Sequence, residues 1–72
     1  MKGKTEFTKT EYEAIIQLIK EKLNADDSRQ RTIRQKIRNI GFYFEDFYDR
    51  SVTYNIEAFL NVINSGKIKI ID

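Results

Sequence analysis

The sequence predicts an α+β domain, three helices packed on a small sheet of two or three strands, and three observations carry that assignment. Apolar residues recur at helical spacing in three separate stretches, near 9–24, 28–39 and 56–64. The segment Lys67-Ile68-Lys69-Ile70-Ile71 alternates cationic and apolar side chains with the two-residue period of a strand. Glycines stand where two of the helical patterns stop, at Gly41 and Gly66, and the chain contains no proline.

The first helix has a complete start signal. Thr8 is placed to cap it, Glu11 three residues on is the capping-box partner, and Phe7 can staple onto Tyr12. Tyr12, Ile15, Ile16, Ile19 and Leu23 then form one apolar stripe with Leu18 beside it, and Glu13, Gln17, Lys20 and Glu21 take the wet side. Residues 1–6, polar and glycine-containing, are expected to be disordered.

Asn24-Ala25-Asp26-Asp27 breaks the pattern, and Asp27 with Gln30 is the expected cap of the second helix. Ile33, Ile37 and Ile40 give this helix a narrow apolar face. At about 100° per residue, Arg31, Arg34 and Arg38 fall together on the opposite side around Gln35, with Arg29 and Lys36 flanking the apolar edge. The run from Arg29 to Arg38 thus holds five cations and no anion. Gly41 suits a left-handed residue beyond the helix end, with Phe42 closing onto Ile37.

Beyond that corner, Phe42-Tyr43-Phe44 reads as extended, Glu45-Asp46-Phe47-Tyr48 as one turn or a loop, Asp49-Arg50-Ser51 as a turn and Val52-Thr53-Tyr54 as extended. Asn55 caps the third helix, with Thr53 as competitor, Ile56, Phe59, Leu60 and Ile63 form its buried face, and Ser65-Gly66 ends it. The strand at 67–71 must pair, and the expected partner is 42–44 or 52–54. The expected core comprises Tyr12, Ile15, Ile16, Ile19, Leu23, Ile33, Ile37, Ile40, Phe42, Phe44, Phe47, Phe59, Leu60, Ile63, Ile68 and Ile70.

Composition narrows the chemistry. The 72 residues make a single domain, 1–72, that buries only about 60% of the surface its unfolded chain exposes. A third of the residues are charged, but 40% are hydrophobic and 12% aromatic, a folded rather than a disordered composition. With no cysteine and no histidine, disulfides, thiolate metal sites, nucleophile–histidine pairs and imidazole acid–base chemistry are excluded. The lack of cysteine fits a reducing cytoplasm, the expected location. Met1-Lys2-Gly3-Lys4 leads into polar residues rather than the apolar centre of a signal peptide. No apolar run reaches the roughly 18 residues of a membrane span.

Three readings of function follow. The first is a non-catalytic interaction module that self-associates, or binds another protein, through an aromatic surface of Tyr43, Phe47, Tyr48 and Tyr54. The alternative is a nucleic-acid-binding domain using helix 28–39, with Arg29, Arg31, Arg34, Gln35, Lys36 and Arg38 as the phosphate or anion contacts and Asn39 beside them. The third, carboxylate chemistry or a hard-metal site at Glu45, Asp46 and Asp49, requires those groups to converge in a pocket, and the spacing of a calcium loop is missing. No enzyme activity, cofactor, metal or small-molecule ligand is expected.

The run IRQKIRNIGFYFEDF, Ile33 to Phe47, followed by Gly66-Lys67-Ile68, resembles a segment of short uncharacterised bacterial domains with an IRxxGFYxxDF corner and a GKI strand. The resemblance covers about 33–68. It implies no assigned activity and an occasional place beside nuclease modules, and it transfers no catalytic residue.

Overall fold

The computed structural model describes residues 2–49 and 53–71. In chain order these form β1 (Glu6–Thr8), α1 (Lys9–Lys22), α2 (Asp27–Ile40), a single 3₁₀ turn (Phe44–Asp46), α3 (Ile56–Asn64) and β2 (Lys69–Ile71). The fold is α+β. Among the described residues no helix is long and apolar enough to cross a membrane.

Each helix begins where a side chain satisfies free backbone N–H groups. Thr8 Oγ1 accepts from Glu11 N at 3.1 Å, and Glu11 Oε1 accepts from Thr8 N at 2.9 Å, closing the capping box. Asn55 Oδ1 accepts from Ala58 N at 2.8 Å. On α2 the cap is Asp26, one residue before the expected Asp27, and it accepts from Arg29 N at 2.8 Å. Gln30, the proposed partner of that cap, instead donates through Nε2 to Ala25 O at 3.0 Å and binds the α1–α2 link to the helix.

The helices α2 and α3 end alike. Gly41 N donates to Arg38 O and Phe42 N to Ile37 O, with Gly41 at φ 121°. Gly66 N donates to Ile63 O and Lys67 N to Val62 O, with Gly66 at φ 81°. Both are paired-bond terminations that need a positive φ, which glycine adopts without a Cβ clash.

The sheet corrects the sequence-based expectation. β2 pairs in parallel with β1, Glu6 opposite Lys69, Phe7 opposite Ile70 and Thr8 opposite Ile71, and not with 42–44 or 52–54. The 42–44 segment does not serve as a strand because the backbone turns at Phe44 into the 3₁₀ segment, although Phe42 and Phe44 share the buried side that alternation predicts. Thr53 and Tyr54 have no regular structure, and the expectations at Met1, Arg50, Ser51 and Val52 lie outside the described residues. Residues 2–5, within the stretch expected to be disordered, carry hydrogen bonds: Lys4 N donates to Gly41 O at 3.0 Å, and Lys69 N donates to Thr5 O at 2.8 Å.

Phe42 is the centre of the core. Its ring meets Phe59 at 4.9 Å, Phe47 at 5.8 Å, Phe44 at 5.9 Å and Phe7 at 6.1 Å, joining α3, the 3₁₀ turn and β1. Ile15, Ile19, Ile33, Ile37, Val62, Ala58 and Ile68 complete the buried set. Tyr12 stacks on Phe59 rather than closing a staple with Phe7, whose ring turns to Phe42. Two expected core residues are misplaced: Leu60 is only half-buried and stands outside the core, since α3 turns Ala58, Phe59 and Val62 inward, and at the end of α1 Leu23 is 67% exposed, while Lys22 is buried. The helix stops at Lys22, three and seven residues after Ile19 and Ile15. The stripe therefore closes on the lysine stem, and the chain turns Leu23 outward.

Candidate functional site

The aromatic residues and the cationic helix, the two features singled out in the sequence, meet along one flank of α2. The aromatic residues mostly pack inward. Phe44 is buried and Phe47, Tyr48 and Tyr54 are half-buried against the core. Phe44 stacks on Tyr54 at 4.4 Å and contacts Tyr48 at 4.9 Å, and the Tyr48 hydroxyl donates to Ala58 O at 2.9 Å. Tyr43, also half-buried, stands beside Gly3. The Tyr48 hydroxyl and the rings of Phe44, Tyr48 and Tyr54 are thus occupied within the chain.

The cations divide into two groups. Arg29, Arg31 and Lys36 are exposed, and none has an ion-pair partner within 4.0 Å among the described residues. Around the outer face, Arg31, Thr32, Arg34, Gln35, Lys36, Arg38 and Asn39 border a shallow open depression in which Gln35 Nε2 donates to Asn39 Oδ1 at 3.0 Å. Cationic walls around an amide pair suit a sugar–phosphate chain better than an apolar ligand. Arg34 and Arg38 are half-buried on the flank toward Tyr54.

The acidic stretch has a structural role. Glu45 bridges Arg38 Nη2 at 3.3 Å and Lys2 Nζ at 3.2 Å. Asp46 accepts from the backbone N–H groups of Lys2 and Gly3 at 2.9 and 2.8 Å. Desolvation opposes ionisation of Asp46, but the two amides and the nearby positive charges outweigh it and hold its carboxyl below the ordinary range. Glu45 and Asp46 therefore tie the N-terminal segment to the corner after α2 and do not converge on a common site.

On the flank, Lys22 Nζ lies 5.5 Å from the centroid of the Tyr54 ring. Burial and then the charge of Arg34 hold the Lys22 ammonium below its usual pKa. Burial pushes the Tyr54 phenol up, against the pull of Arg38 and Arg34. The sequence does not single out Lys22, which lies outside the cationic run of α2 and stands in an apolar stripe. The signal was its spacing from Ile15 and Ile19.

No family model, curated protein or solved structure matches this chain.

Proposed function

We propose that this domain is a non-catalytic interaction module whose partner is the sugar–phosphate backbone of nucleic acid, held on the outer face of α2, in the cytoplasm. The observation that carries the reading is the pair Arg31 and Lys36, exposed on the border of the outer depression and, like the exposed Arg29 two turns before Lys36, unanswered by any described carboxylate. The inward packing of Phe47, Tyr48 and Tyr54 favours this surface over self-association through aromatic rings. The non-catalytic part rests on the lack of His and Cys and on the structural employment of Glu11, Asp26, Glu45 and Asp46. The similarity of Ile33–Phe47 to domains found beside nuclease modules leans the same way.

The span from Arg31 to Arg38 rises about 10 Å at about 1.5 Å per residue. At about 3.4 Å per phosphate along one strand it faces about three phosphates, which sets a slope near −2.7 in log affinity against log salt. Raising salt from about 50 to about 200 mM should then weaken binding about 40-fold. Fluorescence anisotropy of labelled duplex and single-stranded DNA measures this directly, with Arg31→Glu/Lys36→Glu as the charge-reversed variant. Binding that is insensitive to salt, or equal in the variant, overturns the reading. A mass that doubles with concentration, measured by ultracentrifugation, would return the aromatic self-association reading to first place.

A further inference from the structure

Lys22 is the one charged residue among those described that the fold buries, with 9% of its surface exposed. Lysines are rarely enclosed to this degree without an anionic partner, yet none of the described carboxylates lies within 4.0 Å of its ammonium. The contact it makes is with the face of Tyr54. Arg34 lies close enough for its charge to act on both Lys22 and Tyr54, and Arg38 acts on Tyr54 from the next turn of α2. Arg38 is only partly satisfied: Glu45 takes Nη2, while Nε is buried with no acceptor. Tyr54 itself is held in place by its stack on Phe44.

Two helices thus bring three cations around one phenol, and Glu45 is the carboxylate seen to reach them, through Arg38. Folding gains little from the Lys22 charge, since a methionine would fill the same stripe without desolvating an ammonium. The charge meets the Tyr54 ring and no described carboxylate. We infer that Lys22, Arg34, Arg38 and the Tyr54 hydroxyl form a seat for one phosphate group, carried either as free phosphate or as the terminal monoester of a strand. Guanidinium forks, an ammonium and a phenol O–H match the several acceptor oxygens of a tetrahedral oxyanion. Glu45 occupies Arg38 when the seat is empty and has a second partner in Lys2, at 3.2 Å, when the anion arrives. The seat shares Arg34 and Arg38 with the border of the outer depression, whereas Lys22 and Tyr54 belong to the seat alone and Arg31 and Lys36 to the outer face alone.

The test is a titration of the whole chain with inorganic phosphate against chloride at matched ionic strength. It is followed by NMR of the backbone amides and the tyrosine rings, and by the thermal midpoint. Expected are saturable shifts confined to Lys22, Arg34, Arg38 and Tyr54, and a midpoint raised by phosphate. Lys22→Met and Arg34→Gln should lose both effects, and Lys22→Met should unfold in chloride at the wild-type temperature or above it. A purely structural Lys22 would instead lower the midpoint. Glu45→Gln, which removes the competing carboxylate, should tighten phosphate binding about two- to fivefold. Arg31→Glu/Lys36→Glu should leave the phosphate response unchanged, so failure of the seat and failure of the outer face are separable. Comparing 5′-phosphorylated with 5′-hydroxyl oligonucleotides then separates the two sources: tighter binding of the former identifies a strand end, and equal binding identifies free phosphate. Shifts that never saturate, or that spread evenly over all surface cations, overturn the inference.

Discussion

Truncating Phe42 tests the account of the core most severely. The ring is fully buried and sits in contact with four other aromatic rings, from β1, the 3₁₀ turn and α3. Phe→Ala at such a site costs about 3–5 kcal/mol, from lost transfer energy and the cavity left behind. A domain of 72 residues has a total stability of about 4–11 kcal/mol, at roughly 0.05–0.15 kcal/mol per residue. Phe42→Ala should therefore leave the chain partly or wholly unfolded at room temperature, whereas Phe42→Leu should remain folded with a lower urea midpoint. Phe47→Ala is the internal comparison, because Phe47 is half-buried and, among the described residues, its ring pairs with Phe42. It should cost clearly less. Urea titration followed by far-ultraviolet circular dichroism and tyrosine fluorescence reads all three, as the chain has no tryptophan. A loss below about 1 kcal/mol for Phe42→Ala, or one equal to that of Phe47→Ala, would refute the placement of Phe42 at the centre.

Other outcomes follow from the ends of the elements. Thr8→Ala opens the capping box of α1 and should cost about 1 kcal/mol in the same urea titration. Gly41→Ala forces a Cβ onto a residue at φ 121°, where it also meets Lys4 Cε at 2.8 Å, and should cost about 1–3 kcal/mol, almost all from the backbone. The carboxyl of Asp46 is depressed in the folded state, so its stabilising contribution is present above its ordinary pKa of 3.8 and is lost as pH falls through the lower folded value. Amide hydrogen exchange at Lys2 and Gly3 should accelerate selectively over that acid range, after correction for intrinsic rates, and Asp46→Asn should show weaker protection already at neutral pH. Equal protection in wild type and variant at neutral pH would remove Asp46 as the clamp.

Local chemistry was legible wherever it is decided within a few residues. The starts of α1 and α3, the stops at Gly41 and Gly66, and the inward set Ile15, Ile19, Ile33, Ile37, Phe42, Phe44 and Phe59 all follow from caps, glycines and periodicity. These signals act over one or two helical turns, and a chain read in order contains them. The cationic row of α2 was legible for the same reason, since the helix alone sets which arginines share a side.

Long-range pairing was not. β1 is three residues long with one apolar side chain, Phe7, and no periodicity can announce it. It becomes a strand because β2 returns beside it and Phe7 enters the aromatic core. Nor does sequence separate the two fates of the cations. Arg31 and Lys36 stay in water, Arg38 is drawn to Glu45, and Lys22 is enclosed against Tyr54, thirty-two positions away in the chain. Sequence alone determined the helices, the caps of α1 and α3 and the charge of α2, because those depend on neighbours along the chain. Tertiary structure decided the strand partner, the inward turn of the aromatics and the gathering of Lys22, Arg34, Arg38 and Tyr54, because each depends on which distant surfaces are buried together.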